Sequence, residues 1–334
     1  MRKKVSIIGA GNVGASTVLY LAEKGVADLV LVDVVDGLPV GKALDIMESG
    51  PMRKYEVDVA GSNSFAATAG SDVVVITAGL ARKPGMSRTD LLAANSKIVG
   101  SVASQVAHYS PGATLIVVTN PLDIMCYVAL ENSGFALKKV IGMAGVLDST
   151  RFRHFIADEL GVSMEDTAAL VLGGHGDTMV PLTRYTAVGG IPIDELLPAE
   201  TIERLVERTR NGGAEIVQLL KTGSAFYAPA ASIAEMVEAI LKDSQRILPV
   251  AAYLRGEYGI WDVFLGVPAR IGANGVEEVL ELNLTDEELS GLRLSADEVR
   301  KAVEEWKHMV SSAPGGAPMR ERARLQFRRR EGDA

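Results

Sequence analysis

A short β-branched run, Val5-Ser6-Ile7-Ile8, leads straight into Gly9-Ala10-Gly11-Asn12-Val13-Gly14, and a helical stretch follows. A glycine turn between strand and helix narrows the possible folds more than any other feature of this chain. The first glycine permits a tight turn, the second lets backbone approach a pyrophosphate, and the third lets helix and strand pack closely. The helix N-terminus then offers free N–H groups and a positive dipole end to the anion. The motif carries weight because it stands in its strand–turn–helix context. Asp33 ends the next apolar run, Leu29-Val30-Leu31-Val32. It lies about 20 residues beyond the last glycine, where an acid accepts hydrogen bonds from both ribose hydroxyls. A carboxylate there repels a 2′-phosphate, and Val34 and Val35 bring no arginine to bind one. The expected cofactor is therefore NAD rather than NADP; a strand-end turn residue is the plainer reading of Asp33.

Two more runs, Val73-Val74-Val75-Ile76-Thr77 and Leu115-Ile116-Val117-Val118-Thr119, are spaced widely enough for crossover helices. Continuous apolar runs suit strands covered on both faces. Their alternation with helical stretches implies a doubly wound parallel sheet. The second half differs. Short strands are expected over 168–172 and 179–182, long helices at about 200–221 and 226–243, and a strand pair around 246–254 and 262–271. The expected class is α/β: a Rossmann-type nucleotide domain over 1–143, then a mixed α+β substrate domain over 144–312. Ser295-Ala296-Asp297-Glu298 matches a capping box, so a helix is expected to open there with Val299, Val303, Trp306 and Val310 on its core face. Residues 313–334 combine Pro314, Gly315, Gly316 and Pro318 with Arg320, Arg322, Arg324, Arg328, Arg329 and Arg330. They read as a basic, flexible tail, either solvated or set against an acidic neighbour.

The formal net charge of −8 argues against nucleic acid as a partner. The single thiol, Cys126, sits in the apolar run 124–130 and reads as a core residue; no disulfide is expected. The apolar stretch after Met1-Arg2-Lys3-Lys4 is broken by Gly9 and Gly11, so no secretory segment is expected. No apolar run approaches the roughly 20 residues of a membrane span. A cytoplasmic location is expected.

Three segments carry side chains that a nucleotide domain alone does not need. The first runs from Thr77 through Arg82, Lys83, Pro84 and Gly85 to Arg88. The second is Thr119-Asn120-Pro121-Leu122-Asp123. The third joins Asp148-Ser149-Thr150-Arg151 with Gly173-Gly174-His175-Gly176-Asp177. By themselves Asp148 and Arg151 could be a simple helix pair, and either Asp148 or Asp177 could partner His175. His175, flanked by glycines that let backbone lie close to a ligand, is the candidate acid–base. His108, His154 and His308 read as satisfied surface or core residues.

In order and spacing these segments resemble the mobile loop, Asn-Pro turn, Asp-x-x-Arg helix start and histidine loop of the lactate/malate dehydrogenase family, over about residues 3–310. The resemblance implies hydride transfer between NAD and a 2-hydroxy acid. It makes His175 the proton donor, Asp148 the residue that fixes its tautomer, and Arg88 the stabiliser of charge on the carbonyl oxygen. Arg151 would grip the C1 carboxylate bidentately, and Asn120 would hydrogen-bond substrate oxygen. Asn95 and the backbone of Val118, Thr119 and Asn120 would lie against the cofactor, with Gly9 to Gly14 and Asp33. The loop position of Arg82 is typically glutamine in lactate dehydrogenases and arginine in malate dehydrogenases. A closing loop makes an unpaired second carboxylate costly, and an arginine pairs with it. Met86, where lactate dehydrogenases often carry an acid, and Ala225, in place of a common threonine, agree. The expected substrate pair is malate and oxaloacetate, a step of the tricarboxylic acid cycle, with lactate as the alternative. The expected assembly is a homo-oligomer, a tetramer before a dimer. An NAD-dependent glycosidase would need a metal held by Cys and His ligands, and no such pair is apparent, so no metal is expected. A non-catalytic NAD sensor would not need Arg88, Asp148, Arg151 and His175 together.

Overall fold

Strands built almost wholly of Val, Ile and Leu need cover on both faces, and alternation with helices supplies it. The computed structural model describes residues 2–81 and 86–312. The first half runs β1 (Lys4–Ile8), α1 (Asn12–Lys24), β2 (Asp28–Val32), α2 (Leu38–Arg53), β3 (Val59–Ser62), β4 (Val73–Ile76), α3 (Arg88–Tyr109), β5 (Thr114–Val117), α4 (Leu122–Ser133) and β6 (Val140–Gly142). These strands pair in parallel in the order β3-β2-β1-β4-β5-β6. The doubly wound sheet expected from the apolar runs is present. Alternate residues feed opposite layers: Val74, Ile76, Leu115 and Val117 enter one apolar cluster, while Val5, Ile7, Val73 and Val75 enter the other. The chain reverses direction across the sheet between β1 and β4, which opens a crevice beyond their C-terminal ends.

The second half holds α5 (Gly145–Leu160), β7 (Thr167–Ala168), β8 (Val171–Leu172), β9 (Val180–Pro181), β10 (Ala187–Val188), β11 (Ile191–Pro192), α6 (Ile193–Leu196), α7 (Ala199–Leu220), α8 (Tyr227–Leu241), β12 (Arg246–Arg255), β13 (Trp261–Gly272), β14 (Gly275–Val279) and α9 (Asp286–Ser311). The stretch expected as one strand over 168–172 is split between two small sheets: β7 pairs with β10, and β8 with β9. The long pair β12 and β13 is antiparallel, and Ala251 of β12 sits opposite Gly142 of β6. Among the described residues one nine-stranded sheet therefore runs through both halves of the chain.

The last helix opens earlier than expected. Thr285 accepts from the Glu288 N–H at 3.2 Å, and Glu288 accepts from the Thr285 N–H at 2.8 Å. Three acids, Asp286, Glu287 and Glu288, occupy the first turn, where the helix dipole favours them. Ser295 is not a cap. It is fully buried inside α9, and its hydroxyl accepts from the Gly174 N–H. Val299, Val303 and Trp306 do face the core, with Val310 packed beside them. The arginine-rich segment 313–334 and the loop residues Arg82 to Gly85 lie outside the described residues.

Candidate active site

The glycine turn sits at the crevice. Gly9 has φ +111°, and a Cβ there would come within 2.7 Å of the Thr77 hydroxyl and the Ala78 nitrogen. A Cβ on Gly14 would collide with the Gly9 carbonyl, while one on Gly11 would meet nothing within 4 Å. Two glycines thus serve the packing, and the space over the middle one is open. Gly11 caps α1 without a side-chain hydrogen bond, and no acid occupies the first turn of α1. The N–H groups of Asn12, Val13 and Gly14 are therefore suited to an anion. Asp33 is pinned alongside, accepting from the Ala10 N–H at 2.6 Å and the Val35 N–H at 2.9 Å, with Val34 and Val35 exposed. An open anion cradle beside a fixed carboxylate fits the pyrophosphate and ribose of a dinucleotide.

Asn95 lies two turns into α3 and is fully buried. Its amide donates to the carbonyls of Leu80 (3.1 Å) and Asn120 (2.7 Å) and accepts from the Leu80 N–H (2.8 Å). It braces the loop after β4 against the loop after β5, so its bearing on a cofactor runs through those loops. Thr119 adds a second tie, donating to the Ala78 carbonyl at 2.7 Å. Val118 is half-buried and Asn120 is exposed at the same edge.

The acid–base candidates converge farther along. Asp148 enters from the first turn of α5 and is buried. Its Oδ2 lies 2.8 Å from His175 Nδ1, and its Oδ1 accepts from Arg151 at 3.2 Å. One carboxylate therefore holds an imidazole and a guanidinium at once. Burial pushes the proton affinity of His175 down, but the Asp148 charge and hydrogen bond outweigh it, and the net shift is upward. Arg151 has a buried Nε without a protein partner, consistent with a guanidinium only partly used by the fold. Arg88 is placed at the start of α3 by a capping box between Ser87 and Asp90. Its exposed guanidinium lies 3.3 Å from Asp177, also exposed. Asp177 thus meets Arg88, while His175 meets Asp148.

Two residues that the sequence reading did not assign support the histidine loop. Asp123, in the first turn of α4, is buried and accepts from the His175 N–H at 3.1 Å; its other oxygen has no partner. Burial pushes its carboxyl up to about 6, against the pull of the His175 contact. Ser295 holds the adjoining Gly174 N–H and lies 3.0 Å from the Thr178 hydroxyl. A Cβ on Gly174 would come within 3.0 Å of Ser295 Oγ and 3.4 Å of Asp123 Oδ2. Glycine there spares the packing under the loop a tight contact. Cys126 is fully buried and free, as expected, and burial pushes its thiol up. Among the described residues no group of His, Cys, Asp and Glu is arranged to hold a metal, and no helix is long and apolar enough to cross a membrane.

Similarity to known proteins extends over both halves of the chain. Residues 3–142 match the NAD binding domain of lactate/malate dehydrogenases, and residues 145–310 match the α/β C-terminal domain of the same family. A malate dehydrogenase of Thermomicrobium roseum is 62% identical over 310 residues, 93% of this chain and 100% of that protein. The crystal structure of Cryptosporidium parvum malate dehydrogenase superposes with a TM-score of 0.90 at 46% identity, covering 92% of this chain and 100% of that one. A lactate dehydrogenase of the same organism, solved with lactic acid and nicotinamide adenine dinucleotide, reaches 0.89 at 43% identity over 94% and 99%.

Proposed function

This chain belongs to the lactate/malate dehydrogenase family, and from that premise we propose how its residues divide the work. The activity is NAD-dependent interconversion of malate and oxaloacetate. Bound NADH supplies the hydride that reduces the carbonyl carbon, and NAD takes it back in the reverse direction. The chain supplies the rest.

His175 gives a proton to the carbonyl oxygen and recovers it during oxidation. Its Nδ1 is held by Asp148, so Nε2 is the nitrogen left for substrate. Asp148 keeps that tautomer and favours the imidazolium. Arg151 grips the C1 carboxylate with guanidinium edges that the fold does not consume. Arg88, on the exposed side of the histidine loop, exchanges Asp177 for the carbonyl oxygen, and Asn120 hydrogen-bonds the same end of the substrate. Gly9 to Gly14 and Asp33 would hold the pyrophosphate and ribose, and Asn95 and the backbone of Val118, Thr119 and Asn120 would lie against the cofactor. Arg82 pairs with the second carboxylate; pyruvate would leave it unmatched, which selects against lactate chemistry. The single observation that carries this reading is one buried carboxylate touching both His175 and Arg151.

Parallel assays of oxaloacetate and pyruvate, each with NADH and NADPH, test it. Oxaloacetate with NADH should be the fastest pair by at least tenfold; a preference for pyruvate would return the activity to lactate. We further propose a cytoplasmic homo-oligomer, tetramer before dimer, with no nucleic acid or membrane partner, acting in the tricarboxylic acid cycle with (S)-malate as the hydroxy acid. Val40, Leu44 and Met47, exposed at helical spacing on α2, support self-association. Sedimentation of the full chain measures the assembly.

A further inference from the structure

Helix α7 breaks a local rule. It carries Gly212-Gly213 inside a 22-residue helix, where glycine is disfavoured against alanine because it loses more backbone freedom on folding. Such violations are expected where a site needs the space. The pair lies where α7 packs on α5, facing Arg151. A Cβ built on Gly212 would sit 3.2 Å from Arg151 Cδ and 3.7 Å from its Nε. One built on Gly213 would sit 3.8 and 3.9 Å from the terminal guanidinium nitrogens. The arginine therefore lies along bare helix backbone.

The remaining neighbours cannot yield as easily. Phe155 Cε2 is 3.8 Å from the Gly212 position, and its ring is covered on another side by the Arg208 guanidinium at 4.2 Å. Asp148 fixes the far end of Arg151 at 3.2 Å and is itself buried and tied to His175. A methyl group on Gly212 would thus be relieved mainly by displacing the arginine by a few tenths of an ångström. The new contact would tilt the guanidinium rather than open the helix interface.

We propose that Gly212 is a positioning residue for the substrate: its missing side chain sets the seat of the Arg151 guanidinium. This rests on Arg151 binding the substrate carboxylate. Bidentate recognition depends on angle as well as distance, and small misplacements near a reacting centre are costly. Gly212→Ala also gains helix propensity. Stability and substrate binding should therefore move in opposite directions, which a purely structural glycine would not produce.

The test uses the full chain with oxaloacetate and NADH, in wild type, Gly212→Ala, Gly213→Ala, Arg151→Ala and the double variant Gly212→Ala/Arg151→Ala. Gly212→Ala should raise KM for oxaloacetate about tenfold with kcat within about threefold, the signature of lost binding common to ground and transition states. Its melting temperature should hold or rise, and KM for NADH should not move. Gly213→Ala, with only ordinary contacts, should raise the melting temperature and leave KM within about threefold. Removing the arginine clears the space, so in the Arg151→Ala background Gly212→Ala should change KM by less than about twofold, and the two changes should be non-additive in melting temperature. An unchanged KM in Gly212→Ala, a variant that does not fold, or additivity in the double variant would each overturn the proposal. If Arg151→Ala raises KM while Gly212→Ala does not, this proposal alone falls. If Arg151→Ala leaves KM unchanged, the carboxylate role of Arg151 falls with it.

Discussion

Replacing Asp148 by Asn keeps the shape of the site and removes one charge. His175 Nδ1 is 2.8 Å from Asp148 Oδ2, and the centres of the two delocalised charges lie about 4 Å apart. At an effective dielectric constant of about 20 that separation is worth about 4 kcal/mol, about a thousandfold in an equilibrium constant. Burial already pushes His175 down, and Arg151 pushes the same way. With the carboxylate gone only Asp123 still acts against them, so the proton affinity of His175, now above its ordinary value, should drop. With His175 as the proposed proton donor, oxaloacetate reduction needs the imidazolium, so kcat/KM should fall as pH rises through the His175 value, and a lower value should move that fall to lower pH. On the alkaline side of both values the loss in kcat/KM from protonation alone approaches that electrostatic difference, about a thousandfold at most. The assay is kcat/KM for oxaloacetate against pH under saturating NADH, with NADH binding and melting temperature as controls. An alkaline limb that stays in place in a folded, NADH-binding Asp148→Asn protein would refute the idea that Asp148 raises His175.

His175→Asn should bind NADH with unchanged affinity, by fluorescence titration, while turnover falls at least a thousandfold. Arg82→Gln should lower oxaloacetate kcat/KM by about a hundredfold and raise activity on pyruvate relative to it; an unchanged preference in paired assays would remove Arg82 from specificity. Asp123 gives a stability test with a definite sign. Its folded value is pushed up to about 6 from 3.8, so the folded protein holds the extra proton in that interval and loses stability as pH rises through it. Asp123→Asn lacks that proton site, and calorimetry should show wild type losing ground to the variant between about pH 4 and pH 7.

Local chemistry made the nucleotide half legible. The runs at β1, β2, β4 and β5 needed no tertiary information, because continuous Val and Ile between helical stretches has few other uses. β3 and β6 escaped notice because they are short and contain Gly61 and Gly142, whose lack of side chain answers to neighbours not visible in the sequence: the Pro39 carbonyl presses on Gly61, and Cys126 and Ala251 on Gly142. The partner of His175 was open between Asp148 and Asp177 on residue type alone; the resemblance favoured Asp148, and its carboxylate meets the ring. Asp123 stood within a quoted motif, yet nothing local marks a carboxylate as buried. Its position has meaning only once the loop 173–177 is laid across the start of α4. Ser295 was misread for the opposite reason: Ser-x-x-Glu is a good cap signal, but Thr285 and Glu288 form the same box upstream and start the helix first. Nothing local marks Gly212-Gly213 as a seat for Arg151, because that contact exists only where α7 packs on α5.

The ladder that joins β6 to β12 makes the two family domains a single mechanical object. Cut between residues 142 and 145, the chain would yield one fragment with a raw edge at β6 and another with the facing edge of β12 uncovered. Neither fragment would carry a closed interior, since Leu115 and Val117 share their apolar cluster with Phe264 and Leu292. The scaffold should therefore melt in one cooperative step, and the movements that accompany each turnover should be confined to the segments that bridge its strands and helices.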